Sequence, residues 1–530
     1  MNNKPKYLGL NCSVFETFVK KNRIYVDKTK IIYELITAPN LEHFYFVSRP
    51  RRFGKSLFIS TLKSIFSGEK ELFEQYWIGK EADYDWPKHP VMHFDFGGID
   101  HNNPAEFKES LYNHLHALAH KYEIALPYST IADSFIFLVK ELSKKNKVVL
   151  LIDEYDKPLV DHINNLEIAE KNRAILNSFY TTIKSLEAHW RAIFITGVSK
   201  FTKTSLFSGL NNVNELTFDP GVAELFGYTY EELITYFPSQ INDLAQQIGR
   251  TEKETLADMK IWYDGYRFSK DMQKSQMYSP LSVVACLEKK EFSNYWFDTG
   301  TPGFLIPLLR SKGKILEIPD LIKVPAASFN AFDIKDISLY ALLVQTGYLT
   351  IVDYDPETRI FTLDYPNREI REAFKNYLLQ AFTYKNYGEI AEELSLIRAG
   401  IESKNFEQCF HAIKTLFAGI PYDKQIPREA YYHSLLHLLF DVTGMRPRSE
   451  EYSSRGRADL VLETADMVAI FEFKFNSSAQ KALDQILEKK YYEKYENKNK
   501  TIILIGVNFS FKNKNLEFKW TEQIRSEMCI

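Results

Sequence analysis

Cysteine is scarce in this chain: Cys12, Cys286, Cys409 and Cys529 are the only four in 530 residues. They lie far apart, with neither C-x-x-C nor histidine-linked spacing. This excludes a disulfide framework or a structural zinc site as the organising device and fits a reducing compartment. Long apolar runs are also missing. No window approaches the roughly 18 apolar residues of a membrane span, and the opening MNNKPKYLGLNCSVF lacks the apolar core of a signal peptide. A soluble, cytoplasmic protein is therefore expected. There is no excess of positive charge: 66 Lys and Arg stand against 69 Asp and Glu, a net −3. That excludes a globally basic nucleic-acid binder but not a local basic groove. No internal repeat or low-complexity linker interrupts the chain.

What is present is ordinary in bulk, at 45% hydrophobic and 25% charged residues, and rich in aromatics, with 39 Phe and 32 Tyr. The length exceeds what one hydrophobic core supports, so roughly two to four domains are expected. The first informative stretch is Phe44 to Ser60, FYFVSRPRRFGKSLFIS. An apolar, aromatic run reads as a buried strand, and an apolar-periodic helix begins near Ser56. Between them lies Arg49-Pro50-Arg51-Arg52-Phe53-Gly54-Lys55-Ser56, in the setting where G-x-x-x-x-G-K-[ST] has mechanical meaning. Amides at a helix N-terminus cradle phosphates, the lysine reaches the terminal ones, and the hydroxyl of Ser56 binds Mg²⁺. Arg49 stands where the first glycine belongs.

The second is VVLLIDEYDKP, Val148 to Pro158. An unbroken aliphatic run before an acidic pair reads as a central parallel strand presenting Asp153 and Glu154 at its C-terminal tip. Asp153 is expected to hold Mg²⁺ through its outer shell, and Glu154 to orient and polarise the attacking water. A third strand, Ala192 to Ser199, ends in hydroxyls, so Thr196 or Ser199 can sense a γ-phosphate; a plain strand end explains either one equally well. Val91 to Phe96 reads as a further strand, with His93 and Asp95 on one face. Helical patterns fill Pro104 to Ile124, Ile131 to Lys145 and Ile168 to Ala188. This alternation predicts a three-layer parallel α/β domain. Arg49, Arg51 and Arg52 are candidates for stabilising transition-state charge.

From Val222 the pattern turns helical, with an Asp264-Gly265 turn and the aromatic string Tyr295 to Phe304, for which core packing outweighs a nucleotide-facing role. A helix, turn and hairpin over Leu339 to Leu363 suit a winged-helix module. Near the end, the strand Met467 to Phe475, MVAIFEFKF, places Glu472 and Lys474 on the face opposite Phe471, Phe473 and Phe475. With Asp459, these residues suit metal-dependent phosphodiester hydrolysis: Asp459 and Glu472 hold Mg²⁺, and Lys474 helps activate water. The rival explanation is an ion pair on an edge strand. Lys489, Lys490, Lys494, Lys498 and Lys500 form a flank that suits a phosphate backbone and a solvated face about equally. Over residues 421–530 the basic residues exceed the acidic by one.

Tyr25-Val26-Asp27-Lys28-Thr29, the Arg49 to Ser56 loop, Ile152 to Pro158 and Phe207-Ser208-Gly209-Leu210-Asn211-Asn212 resemble the bacterial AAA-ATPase-like family, whose members commonly end in a PD-(D/E)XK nuclease-like domain. The resemblance implies an ATPase domain with the Tyr25 leader beside the nucleotide. It also implies a restriction-endonuclease-like α/β domain. There Asp459 and Glu472-Phe473-Lys474 match the motif, with Ala458 in place of its proline, Glu429 matches an acidic residue on the preceding helix, and Gln485 and Tyr491 match supporting residues. The expected organisation is an ATPase domain over 1–215, a helical, winged-helix-like middle region over 216–385 and a nuclease-like domain over 386–530. ATP and Mg²⁺ are the expected cofactors and DNA the expected partner, with a homo-oligomer open. The expected function is an ATPase coupled to a Mg²⁺-dependent DNA endonuclease. The alternative is a nucleotide-switched DNA- or protein-binding regulator whose nuclease-like domain is not catalytic.

Overall fold

The structure is a computed structural model, described over residues 7–10, 12–38, 44–200, 213–300, 305–307, 321–329, 338–420, 429–453, 455–510 and 515–523. Lys203, the strings Phe207 to Asn212 and Thr301 to Phe304, and Arg428 lie outside the described residues. The chain divides into two compact units, residues 1–304 with 321–371, and 305–320 with 372–530.

The first unit is built on five parallel strands: β1 (Phe44–Ser48), β2 (Val91–Asp95), β3 (Val148–Asp153), β4 (Trp190–Gly197) and β5 (Val213–Glu215), in the order β2-β3-β4-β1-β5. Every residue of β3 is buried. Both faces of the sheet are therefore covered, which is why the strand reads as an unbroken aliphatic run rather than an alternating one. Helix Lys55–Phe66 packs on β2, β3 and β4, while Pro104–Lys121, Ile131–Ser143 and Leu166–Lys184 pack on one another. Asn103, Thr130 and Asn165 each cap one of these three helices through a side-chain oxygen.

The leader is not a strand. Arg23 makes an isolated bridge with Tyr7 and the Ile24 amide donates to the Tyr7 carbonyl, but residues 24–28 belong to no strand, and Asp27 organises them instead. Its Oδ1 accepts from the Thr29 amide and hydroxyl (2.9 and 2.6 Å) and its Oδ2 from the Trp77 amide (2.7 Å). The expected helix, turn and hairpin are present as Leu339–Thr346, Gly347 and the strands β7 (Thr350–Asp355) and β8 (Ile360–Asp364). β6 (Ile322–Pro325) adds a third strand in the order β6-β8-β7.

The second unit carries a mixed sheet ordered β13-β12-β11-β10-β9, formed by β9 (Arg448–Ser453), β10 (Gly456–Glu463), β11 (Met467–Phe475), β12 (Thr501–Ser510) and β13 (Asn515–Gln523). Only β11 and β12 are parallel. β11 lies at the centre, which removes the edge-strand explanation of Glu472 and Lys474. Gly506 faces Glu472 in the β11–β12 register. A Cβ on Gly506 would lie 2.2 Å from the Ala479 carbonyl and 2.5 Å from the Leu483 amide, so only glycine lets helix Ala479–Lys489 lie against the sheet at this depth.

Gly506→Ala is expected to destabilise the protein by about 1–3 kcal/mol through overpacking. A urea unfolding midpoint equal to that of the wild type would contradict this account of the helix contact.

Candidate active sites

The loop between β1 and helix Lys55–Phe66 is compact, with Arg52 at φ +67° and Gly54 at φ +92°. No side chain caps the helix, so its first amides are left without a side-chain acceptor, an arrangement that suits an anion. Lys55 is only 6% exposed, and its Nζ donates to the Arg49 and Pro50 carbonyls at 3.0 Å each. Burial lowers its pKa, and the charges of Asp153, Glu154 and Asp156 pull it back up. Ser56 is half-buried one residue further on.

Beside the loop, β3 and β4 bring the acids and hydroxyls together. Asp153 is buried, and its Oδ1 accepts from the Thr196 hydroxyl at 2.5 Å and from the Glu154 amide at 3.0 Å. Ser199 donates its hydroxyl to Asp156 Oδ2 at 2.6 Å. The amides of Val198 and Ser199 also converge on that buried carboxylate. Thr196 and Ser199 are thus both engaged by acids of the DEYD string. Glu154 takes a left-handed backbone, φ +53°, and has Lys157 Nζ 3.8 Å from its Oε2. Burial raises its pKa while Lys157 and Lys55 lower it, and a carboxyl so poised is suited to accept a proton. Asp95 is the register partner of Asp153, with its Oδ1 accepting from the Gly97 amide at 2.9 Å.

The Arg49 side chain is engaged within the protein. It is 1% exposed; Nη1 donates to the Ser48 and Thr217 carbonyls at 2.9 and 2.7 Å, and the guanidinium lies over Phe226 and Phe268. The Arg49 amide donates to the Gly197 carbonyl at 3.1 Å. What Arg49 offers the loop is its carbonyl, which receives Lys55. Arg51 is half-buried and Arg52 exposed, so these two keep the candidacy for transition-state charge. Pro50 packs against Gly347, and Phe53 is 1% exposed against Tyr266 and Phe268. No periodicity announces these contacts, because their partners lie about two to three hundred residues away. A cavity of about 70 Å³ opens beside Gly54 and Leu57, walled by Val26 and Ile32 of the leader and by Leu225 and Tyr228. Lys28 lines it too, held at 2.6 Å by both carboxylate oxygens of Glu232.

In the second unit, the Phe473 amide donates to Asp459 Oδ2 at 2.7 Å, which fixes that carboxylate against β11. Glu472 is 3% exposed; its Oε1 accepts from Lys474 Nζ at 3.0 Å and from the Gln485 amide. Gln485 Nε2 also reaches the Tyr491 hydroxyl at 3.3 Å. Glu472 Oε2 is buried without a hydrogen-bond partner. Burial first, then the Asp459 charge, raises the Glu472 pKa to about 7. A buried, unpartnered carboxylate oxygen beside a second carboxylate fits a divalent cation, although no cluster of three or more such ligands occurs among the described residues. Glu429 is exposed at the start of helix Glu429–Val442, its pKa raised by partial desolvation and then by Asp459. His433, one turn on, was not among the expected residues; its Nε2 lies 3.1 Å from the Asp459 carbonyl.

The lysine flank is largely engaged by carboxylates. Lys498 and Lys500 reach Glu463 Oε1 at 2.8 and 2.9 Å, holding that carboxyl at about 2, and Lys494 reaches Glu451 at 2.8 Å. Lys490 pairs with Glu493 at 3.5 Å. No helix among the described residues is long and apolar enough to cross a membrane.

The model of a predicted AAA-ATPase family matches residues 9–207, and that of the PD-(D/E)XK nuclease superfamily matches residues 427–519. A protein of Azotobacter chroococcum mcd 1, described as an uncharacterized protein in the vnfD 5' region, is 33% identical over 513 residues, covering 93% of this chain and 94% of that one. A solved structure of the Aeropyrum pernix ORC2 protein, in ADPNP–ADP complexes, aligns with 69% of this chain and 92% of its own at 12% identity. The TM-score of that alignment is 0.25, too low to carry an argument.

A carboxyl whose folded-state pKa is raised binds its proton more tightly in the folded chain than in the unfolded one. For Glu472 the penalty is absent below the ordinary 4.5 and grows as pH climbs to about 7. In chelator at pH 8, Glu472→Gln is expected to stabilise the protein by on the order of 1–3 kcal/mol. The gap should narrow toward pH 5, and Mg²⁺ should raise the Tm of the wild type more than that of the variant. A gap independent of pH would show that Glu472 is not the strained charge.

Proposed function

The chain belongs to the predicted AAA-ATPase family and carries a C-terminal domain of the PD-(D/E)XK nuclease superfamily, and from that premise we propose that it is an ATP hydrolase coupled to a Mg²⁺-dependent endonuclease acting on DNA. The observation that carries the first half is the buried Lys55 ammonium, whose donors rest on carbonyls of its own loop within electrostatic reach of Asp153 and Glu154. Arriving phosphates would take over those donors and meet the uncapped helix amides. Ser56 and Asp153 would hold Mg²⁺, with Thr196 orienting the Asp153 carboxylate. Glu154 accepts the proton of the water whose oxygen attacks the γ-phosphorus, and ADP departs. The cavity beside Gly54 is suited to the base, and Arg51 or Arg52 to the charge that develops on the transferred group.

For the second half the support is Glu472. Its unpartnered Oε2 together with Asp459 would bind Mg²⁺, which when bound supplies charge neutralisation at the scissile phosphate. Gln485 and Lys474 hold the other Glu472 oxygen, and Lys474 is placed to steady the attacking water. The engagement of Lys494, Lys498 and Lys500 by glutamates favours the alternative in one respect, since those charges are already neutralised inside the domain. A nucleotide-switched binding module is therefore the second reading. In either reading the protein works in the cytoplasm.

Lys55→Ala is expected to abolish nucleotide binding, whereas Glu154→Gln should bind ATP normally and hydrolyse it at least about a hundredfold more slowly. Normal turnover by Glu154→Gln would overturn the assignment of the base. The decisive assay is digestion of circular and linear DNA with Mg²⁺ and no nucleotide, ATP or a non-hydrolysable analogue. ATP-stimulated cutting that Asp459→Ala abolishes is the expected result. ATP hydrolysis without cutting under any of these conditions would select the nucleotide-switched module.

A further inference from the structure

A phosphate loop that begins with arginine cannot rely on a leading glycine for its shape, and two of its residues hold left-handed backbone angles. Part of what holds it comes from the middle of the chain. The Trp296 indole N–H donates to the Arg51 carbonyl at 2.8 Å. Trp296 is wholly buried in helix Tyr295–Gly300, and its own amide donates to Glu369 Oε1 at 2.5 Å. Glu369 is buried as well, its Oε2 accepting from the Ser282 hydroxyl at 2.7 Å. On the other side Gly347, at φ +91°, lies so close that a Cβ would be 2.8 Å from Pro50 Cβ and 3.1 Å from Trp296 Cζ2. All of these residues belong to the first compact unit.

We propose that Trp296 is a positioning residue for the nucleotide's phosphates, acting through the Arg51–Arg52 peptide; this rests on the reading of the loop as an ATP site. In a trans peptide the C=O and N–H point to opposite sides. An indole donor that pins the Arg51 carbonyl toward Trp296 therefore turns the Arg52 N–H away from Trp296, where it can join the helix amides that would face the phosphates. Without that donor the half-buried carbonyl loses this partner, and the peptide is free to rotate toward another. Arg52, already left-handed at φ +67°, has no glycine's freedom to compensate. The contribution is thus directed at the phosphate chain, not at the base.

The test is calorimetric titration of the full-length protein with ATP, ADP and adenosine in Mg²⁺. Trp296→Phe keeps an aromatic ring but removes the donor, and Gly347→Ala keeps the donor but crowds both the indole and Pro50. Both variants are expected to bind ATP and ADP about tenfold more weakly, with adenosine affinity unchanged. Unchanged ATP affinity in a folded Trp296→Phe protein overturns the proposal. An equal loss for adenosine also overturns it, because that marks a structural effect on the whole site. Should Trp296→Phe fail to fold, Gly347→Ala decides by the same comparison. Absence of ATP binding in the wild type would instead remove the nucleotide reading itself.

Discussion

An ammonium group buried at the end of a parallel sheet is the constraint on which the first unit depends. Isolated from water without partners, such a charge costs several kcal/mol. Lys55 meets that cost with two loop carbonyls and the field of three carboxylates. Each partner is itself held. Asp153 is fixed by Thr196 and Asp156 by Ser199, and the Arg49 residue that supplies one carbonyl is anchored on Thr217 between two phenylalanines. The order β3-β4-β1 makes this possible, because it sets the tips carrying the acids and the hydroxyl beside the strand that feeds the loop.

The second unit presents the opposite polarity. There a carboxylate is buried with one oxygen satisfied and the other left without a donor, beside Asp459, which raises its pKa further. The first site is a buried cation suited to an anionic ligand, and the second a buried anion suited to a cation. Lys55 opens the helix that follows β1, whereas Glu472 sits within β11.

Much of this was legible in residue order. Aliphatic runs at Val148–Asp153 and Met467–Phe475 announce buried strands because both faces of their sheets are covered. The Gly54-Lys55-Ser56 string, Asp153-Glu154 and Glu472-x-Lys474 carry chemistry that few other placements would suit. Tyr25 and Val26 look like strand residues, yet the leader joins no sheet; the Asp27 side chain ties it instead to the Thr29 and Trp77 amides. β9 and β13 also went unread; Arg448–Ser453 is polar, and Asn515–Gln523 alternates Leu516, Phe518 and Trp520 with polar residues, the pattern of an outer strand buried on one face.

What residue order alone determined is the set of local elements and the identity of the chemical groups, since periodicity and short-range spacing act within one strand or helix. Tertiary structure alone decided which groups are available. Arg49 became a buried clamp, the flanking lysines were drawn to Glu463 and Glu451, and Trp296 reached a carbonyl 245 residues away. The physical reason is that desolvation and hydrogen-bond satisfaction depend on neighbours brought from distant positions, and those neighbours are settled only when the sheets close.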